Sequence, residues 1–168
     1  NTGNSIMAKD DTVVMTLGEY RCSDSEDNCS DSHNMLQTNE LYGAVKCAVD
    51  IASCLLDGEN EKRLLKLWGT GSKLTIRAIT FKDGSASMGG GIFIWGFKSK
   101  VDLELCIFTN CYAYDGDNGG GAIYVANVAG IIVNIKGTSF SENMAFNGAD
   151  IYKSGGLMGV AIINVLAS

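Results

Sequence analysis

Apolar side chains recur in this chain in short alternating runs, each broken by a polar or Gly-rich turn. Three segments, residues 74–94, 101–125 and 133–153, superimpose: an apolar strand, a Phe, a Gly-rich turn and a second apolar strand. Aligning Phe81, Phe108 and Phe140 stacks Leu74 with Val101 and Val133, Ile76 with Leu103 and Ile135, and Ile79 with Cys106 and Thr138. The Phe residues are 27 and then 32 positions apart. Repeats of that size, made of strands without a helical period, predict an all-β chain wound into stacked coils. Because strand side chains alternate between faces, Leu74, Ile76, Ile79 and Phe81 are expected to point inward and Thr75 and Arg77 outward. Stacking then sets Arg77 beside Glu104 and Glu104 beside Lys136, a charge ladder that holds register and adds little stability.

After each Phe comes a polar turn, with Asp83, Asn110 and Glu142 in one column and Ala86, Ala113 and Ala145 in another. Gly89 to Gly91, Gly119 to Gly121 and Gly148 with Ala149 follow, where tight bending and close coil approach favour residues without bulk. No Lys-Ser or Lys-Thr pair follows these glycines, so they are not phosphate loops. In the second strand Ile92, Ile123 and Ile151 are expected inside. Phe93, Tyr124 and Tyr152 then form an outward aromatic column, joined by Trp95, and make a candidate platform for sugar rings or a partner surface.

Residues 45–51, 53–58 and 64–68 form an earlier, less regular coil, and a strand over residues 12–17 starts the stack. The expected organisation is an irregular N-terminal capping segment with an acidic loop, residues 1–44, followed by coils over 45–168. The regular repeats cover 74–100, 101–131 and 132–158, and an incomplete coil covers 159–168. In that last coil Val160 and Ile162 continue the Val133 and Ile135 columns, and Ala167 stands where the column Phe belongs. An uncovered strand with Val160, Ile162, Ile163 and Val165 is an assembly edge, expected to dock on a protein partner, on another copy or on further sequence.

Composition adds limits. With 168 residues and 46% hydrophobic content the chain is long enough for one domain with a core, and 21 Gly with no Pro puts glycine in turns between strands rather than in disordered tracts. The longest apolar run, residues 156–167, is well short of the roughly 20 residues of a transmembrane helix. Residues 1–40 hold eight acidic side chains against Lys9 and Arg21, a difference equal to the whole net charge of -6. The neutral repeat region therefore lacks the basic stripe that nucleic acid requires.

Six cysteines fall as three close pairs, Cys22 with Cys29, Cys47 with Cys54 and Cys106 with Cys111. Local pairing without a two-residue gap, and with His33 the only histidine, favours disulfides in an oxidising, extracellular or cell-surface compartment over a metal site. For Cys106, in an inward column, a small buried hydrophobe is the competing assignment. The sequon Asn28-Cys29-Ser30 is in keeping with secretion.

Phe140-Ser141-Glu142-Asn143 and Gly120-Gly121-Ala122-Ile123 match the Phe-x-x-Asn and Gly-Gly-Ala motifs of polymorphic outer membrane proteins, whereas residues 81–84 and 108–111 lack the Asn. More broadly the repeats resemble the right-handed parallel β-helix of the pectin-lyase-like superfold, and Gly-rich secreted β-helix proteins of microalgae. The resemblance implies a right-handed solenoid of about four coils over roughly residues 45–165. It does not single out a function, because that superfold hosts lyases, hydrolases, adhesins and structural proteins. The polygalacturonase-like catalytic motifs do not occur here. Asp102 with Glu104, the nearest approach to a lyase calcium cluster, sits beside Arg77 and Lys136 and is expected to be neutralised. Asp24, Glu26, Asp27 and Asp31, like Asp115 and Asp117, lack EF-hand spacing. Unlike columns argue against ice binding. The expectation is a non-catalytic structural or adhesive β-helix without a cofactor, acting through partners or assembly, with polysaccharide binding on the aromatic row as the alternative and polysaccharide cleavage behind both.

Overall fold

The structure, a computed structural model, describes residues 54–155 without a break together with 11–15, 18–21, 34–39, 42–49 and 161–166. Among the described residues all strand pairing is parallel and no helix occurs; the strands stack as a β-solenoid of about four turns. The first sheet runs in the order Asp11–Met15, Tyr42–Cys47, Lys73–Arg77, Lys100–Glu104, Ile132–Lys136, Ile162–Leu166. A second sheet stacks Gly18–Arg21, Cys54–Asp57, Ile79–Lys82, Ile107–Thr109 and Ser139–Ser141. The third stacks Asn34–Asn39, Arg63–Trp68, Ile92–Trp95, Ile123–Val125 and Ile151–Lys153. Between the second and third lies a small fourth sheet of Ser85–Ala86, Tyr112–Ala113 and Met144–Ala145.

The expected columns are present. Leu74, Val101 and Val133 pair across the first sheet, as do Ile76, Leu103 and Ile135, and all six are buried. Phe81, Phe108 and Phe140 stack with ring centroids 4.6 and 5.3 Å apart, close to the strand spacing that parallel pairing imposes. Two corner columns, Ala78 with Leu105 and Gly137, and Asp83 with Asn110 and Glu142, hold positive φ between 51° and 57°. Asp and Asn tolerate that region, while Ala78 and Leu105 adopt it against their preference.

Three strands lie in the stretch expected to cap the stack, and each pairs in parallel with the coil that follows. The strand Tyr42–Cys47 runs across the expected boundary at residue 44. Residues 22–33, with Cys22, Cys29, His33 and most of the acidic loop, lie outside the described residues, as does Val160.

Two expectations are corrected. In the last strand Ile163, not Val160, stands opposite Val133, and Val165, not Ile162, opposite Ile135. Apolar residues stand on both sides of the strand's single polar residue, so apolar alternation alone leaves the register open. Its polar residue decides: Asn164 Nδ2 donates to Asn134 Oδ1 (2.8 Å), and Asn134 Nδ2 to Asp102 Oδ1 (2.6 Å). The second correction concerns Cys106 and Cys111, which are free, buried thiols and not a disulfide. They stand on either side of the strand Ile107–Thr109 and the positive-φ corner at Asn110, and each thiol turns to a backbone carbonyl of the preceding coil, Cys106 to Ile76 O (3.6 Å) and Cys111 to Phe81 O (3.8 Å). Cys47 and Cys54 are bonded, with Cα atoms 5.6 Å apart.

Candidate functional site

The third sheet carries the aromatic row. Leu65, Leu67, Ile92 and Ile94 point into the core, so their neighbours Lys66, Trp68, Phe93 and Trp95 point out, paired in register. Lys66, Phe93, Tyr124 and Tyr152 form one column. Phe93 and Tyr124 stack at 5.3 Å, and Tyr124 and Tyr152 lie tilted at 5.8 Å.

The column is outward but not open. Phe93 and Tyr124 are only 9% and 7% exposed, because Met88, Ala126 and Val128 from the flanking turns pack over them, and Tyr152 is half-buried. Arg63 closes one side: its guanidinium lies 4.9 Å from the Phe93 ring centre, and it donates to Met88 O (2.8 Å from Nη2) and Gly89 O (3.1 Å from Nε). Burial lowers its pKa to about 10, against a smaller upward pull from Tyr114, so it remains charged at neutral pH. Phe93, Tyr124 and Tyr152 are therefore a covered ladder and not the platform expected of them.

Trp95 is different. It stacks on Trp68 with centroids 4.0 Å apart at 36°, and the two are 38% and 41% exposed. With Phe97, Gly69, Thr70, Gly96 and Val128 they line a cleft of about 430 Å³. The turns behind it are tightly fitted: Ser99 Oγ donates to Gly69 O (3.0 Å), and a Cβ on Gly96 would collide with that same carbonyl. Two lysines sit on the aromatic walls, Lys66 Nζ 4.8 Å from the Trp68 ring and Lys98 Nζ 5.1 Å from Phe97. Burial, then Arg63, pulls the Lys66 pKa down from the ordinary lysine value. The cleft is thus aromatic and cationic.

Sequence reasoning found Trp95 and missed Trp68 and Phe97. Laying Leu64 to Trp68 over the next coil sets Trp68 on Trp95, which is the signal that was there to use. A second exposed group was also missed: Tyr112, Tyr114, Met144 and Phe146, on the outer face of the fourth sheet. It is implied by the inward column Ala86, Ala113 and Ala145, whose neighbours must point out.

Of the acidic candidates among the described residues, Glu104, Asp102 and Asp115 are occupied. Glu104 pairs with Arg77, while Asp102 accepts from Lys100 Nζ (2.9 Å) and from Asn134. Asp115 caps its own turn, accepting from Asp117 N (3.2 Å) and Asn118 Nδ2 (3.1 Å). Among the described residues no three His, Cys, Asp or Glu side chains cluster to hold a metal, and no helix is long and apolar enough to cross a membrane. At the far end of the stack Ile162, Val165 and Leu166 are exposed, and Ile163 is half-buried against the core.

No protein-family model, no curated protein and no solved structure matches this chain. The solenoid is shown by its strand pairing rather than by kinship.

Proposed function

We propose that this chain is a non-catalytic, structural or adhesive β-solenoid of the cell surface or extracellular space, acting by contact with a partner or a further copy at its last coil. The observation that carries this reading is the strand Ile162–Leu166, the last described strand of the first sheet, which leaves Val165 74% exposed beside exposed Ile162 and Leu166 for a partner, a further copy or further sequence to cover. A parallel strand at a sheet edge with apolar side chains is a template for another chain. The Cys47–Cys54 bond is compatible with an oxidising compartment. The motif likeness to surface repeat proteins points the same way.

Sedimentation measured over rising concentration tests this reading. The parent is expected to associate and a Val165→Lys variant to stay monomeric with an unchanged melting temperature. A parent that remains a monodisperse monomer, with residues 162–166 protected from amide exchange, overturns it, as does cleavage of polygalacturonate or alginate by the purified protein.

A further inference from the structure

The fourth sheet and the tryptophan cleft are complementary. On the fourth sheet Tyr112 pairs with Met144, and Ala113 with Ala145; the alanines point inward, so Tyr112, Tyr114, Met144 and Phe146 share the outer face. All four are exposed, and Phe146 at 80% protrudes the most of any large apolar side chain in the described residues. Exposed Asp117 and Glu142 flank this group in the chain. The cleft offers aromatic walls of Trp68, Trp95 and Phe97, room for a ring, and the ammonium groups of Lys66 and Lys98.

We propose that a second copy of the chain docks the outer face of its fourth sheet on this cleft, with Phe146 inserted between the aromatic walls and Glu142 and Asp117 facing Lys66 and Lys98. This extends the partner-contact reading above by naming the partner and a separate, lateral surface. Charge decides the arrangement. A symmetric contact between two fourth-sheet faces opposes acids with acids, and one between two clefts opposes lysines with lysines; only face on cleft pairs unlike charges. Because the two surfaces lie on different sides of the coil, the contact is heterologous, leaves a free face and a free cleft at either end, and builds open chains instead of closed dimers.

The test uses the full chain carrying Val165→Lys, which silences the last coil, followed by sedimentation. Oligomers that grow with concentration and shrink with added salt are expected. Phe146→Ala and Trp95→Ala, each on that background, should each weaken association by at least about tenfold, the loss of one interface anchor. Mixing those two variants should restore a dimer and nothing larger, since one supplies the intact face and the other the intact cleft. Lys98→Glu should weaken association and Glu142→Lys on the other copy should recover it, a control that leaves the aromatic packing in place. A monomer at every concentration on the Val165→Lys background overturns this inference and leaves the last-coil reading standing. Oligomers indifferent to Phe146→Ala and Trp95→Ala overturn it as well. So does a glycan that binds the cleft while the protein stays monomeric.

Discussion

Cys111 and Asn143 show how single side chains hold a coil together. Both stand three residues after a column Phe, and both bond to the preceding coil: Asn143 Nδ2 donates to Phe108 O (3.2 Å), and the Cys111 thiol donates to Phe81 O (3.8 Å). Asn143 adds acceptance from Cys111 N (3.0 Å), so the Asn of the Phe-x-x-Asn motif is a corner cap and its role here is structural. Burial pushes the Cys106 thiol up to about 11 and the Cys111 thiol up to about 12, against weaker downward pulls from backbone hydrogen bonds. The folded state then favours the neutral thiols. Their contribution is fully present below the unfolded value of 9.0 and is lost as pH rises from there towards 11 and 12. Denaturant midpoints should fall across that window, by roughly 1.4 kcal/mol per pH unit for each thiol. The Cys106→Ala, Cys111→Ala double variant should lack that extra slope, and identical slopes in both proteins would contradict the assignment. The inward column offered Cys106 as a buried, unbonded residue but did not decide it, because close spacing looks the same whether a strand or a turn lies between two cysteines.

At the scale of elements, the Cys47–Cys54 bond closes an insertion. Cys54 pairs with Ile79, and Cys47 follows Lys46, the partner of Arg77, so the next coil places the adjacent residues Ala78 and Ile79 where this coil has six extra residues, 48–53, between the cysteines. The disulfide holds the ends of the excursion together, so the corner continues as though nothing had been inserted. A short loop limits the entropic gain to roughly 2–3 kcal/mol. Cys47→Ser should lower unfolding stability by that amount in guanidinium, and a reductant should shift the parent's midpoint further than the variant's, bringing the two together. The same element scale explains the covered ladder: period two put Phe93 and Tyr124 on the outer face, but Met88 and Val128 reach over it from turns whose path the strand pattern does not encode.

As a whole the molecule is nearly one-dimensional, each coil touching only its neighbours. Local stability should therefore follow the number of neighbours. In the dilute, dissociated chain, amide exchange read by mass spectrometry is expected to be slowest in Ile92–Trp95 and Lys100–Glu104, which have paired strands on both sides, and fastest in Ile162–Leu166 and Ser139–Ser141, which have one. Uniform protection along the stack would show that the molecule opens only as a unit.

The repeat alone determined the coil, its inward columns of Leu, Ile, Val and Phe, and the Arg77–Glu104 ladder, because a strand's alternation is local and stacking merely copies it from turn to turn. Tertiary structure decided the rest. Whether an outward ring meets water depends on turns from other positions in the chain, which bury Phe93 and Tyr124 and leave Trp68, Trp95 and Phe146 open. Whether two thiols join depends on where the fold turns them, and Cys106 and Cys111 each turn to a carbonyl of the preceding coil instead of to one another. Register in a run with one polar residue depends on that residue's partner across the sheet, which for Asn164 is Asn134.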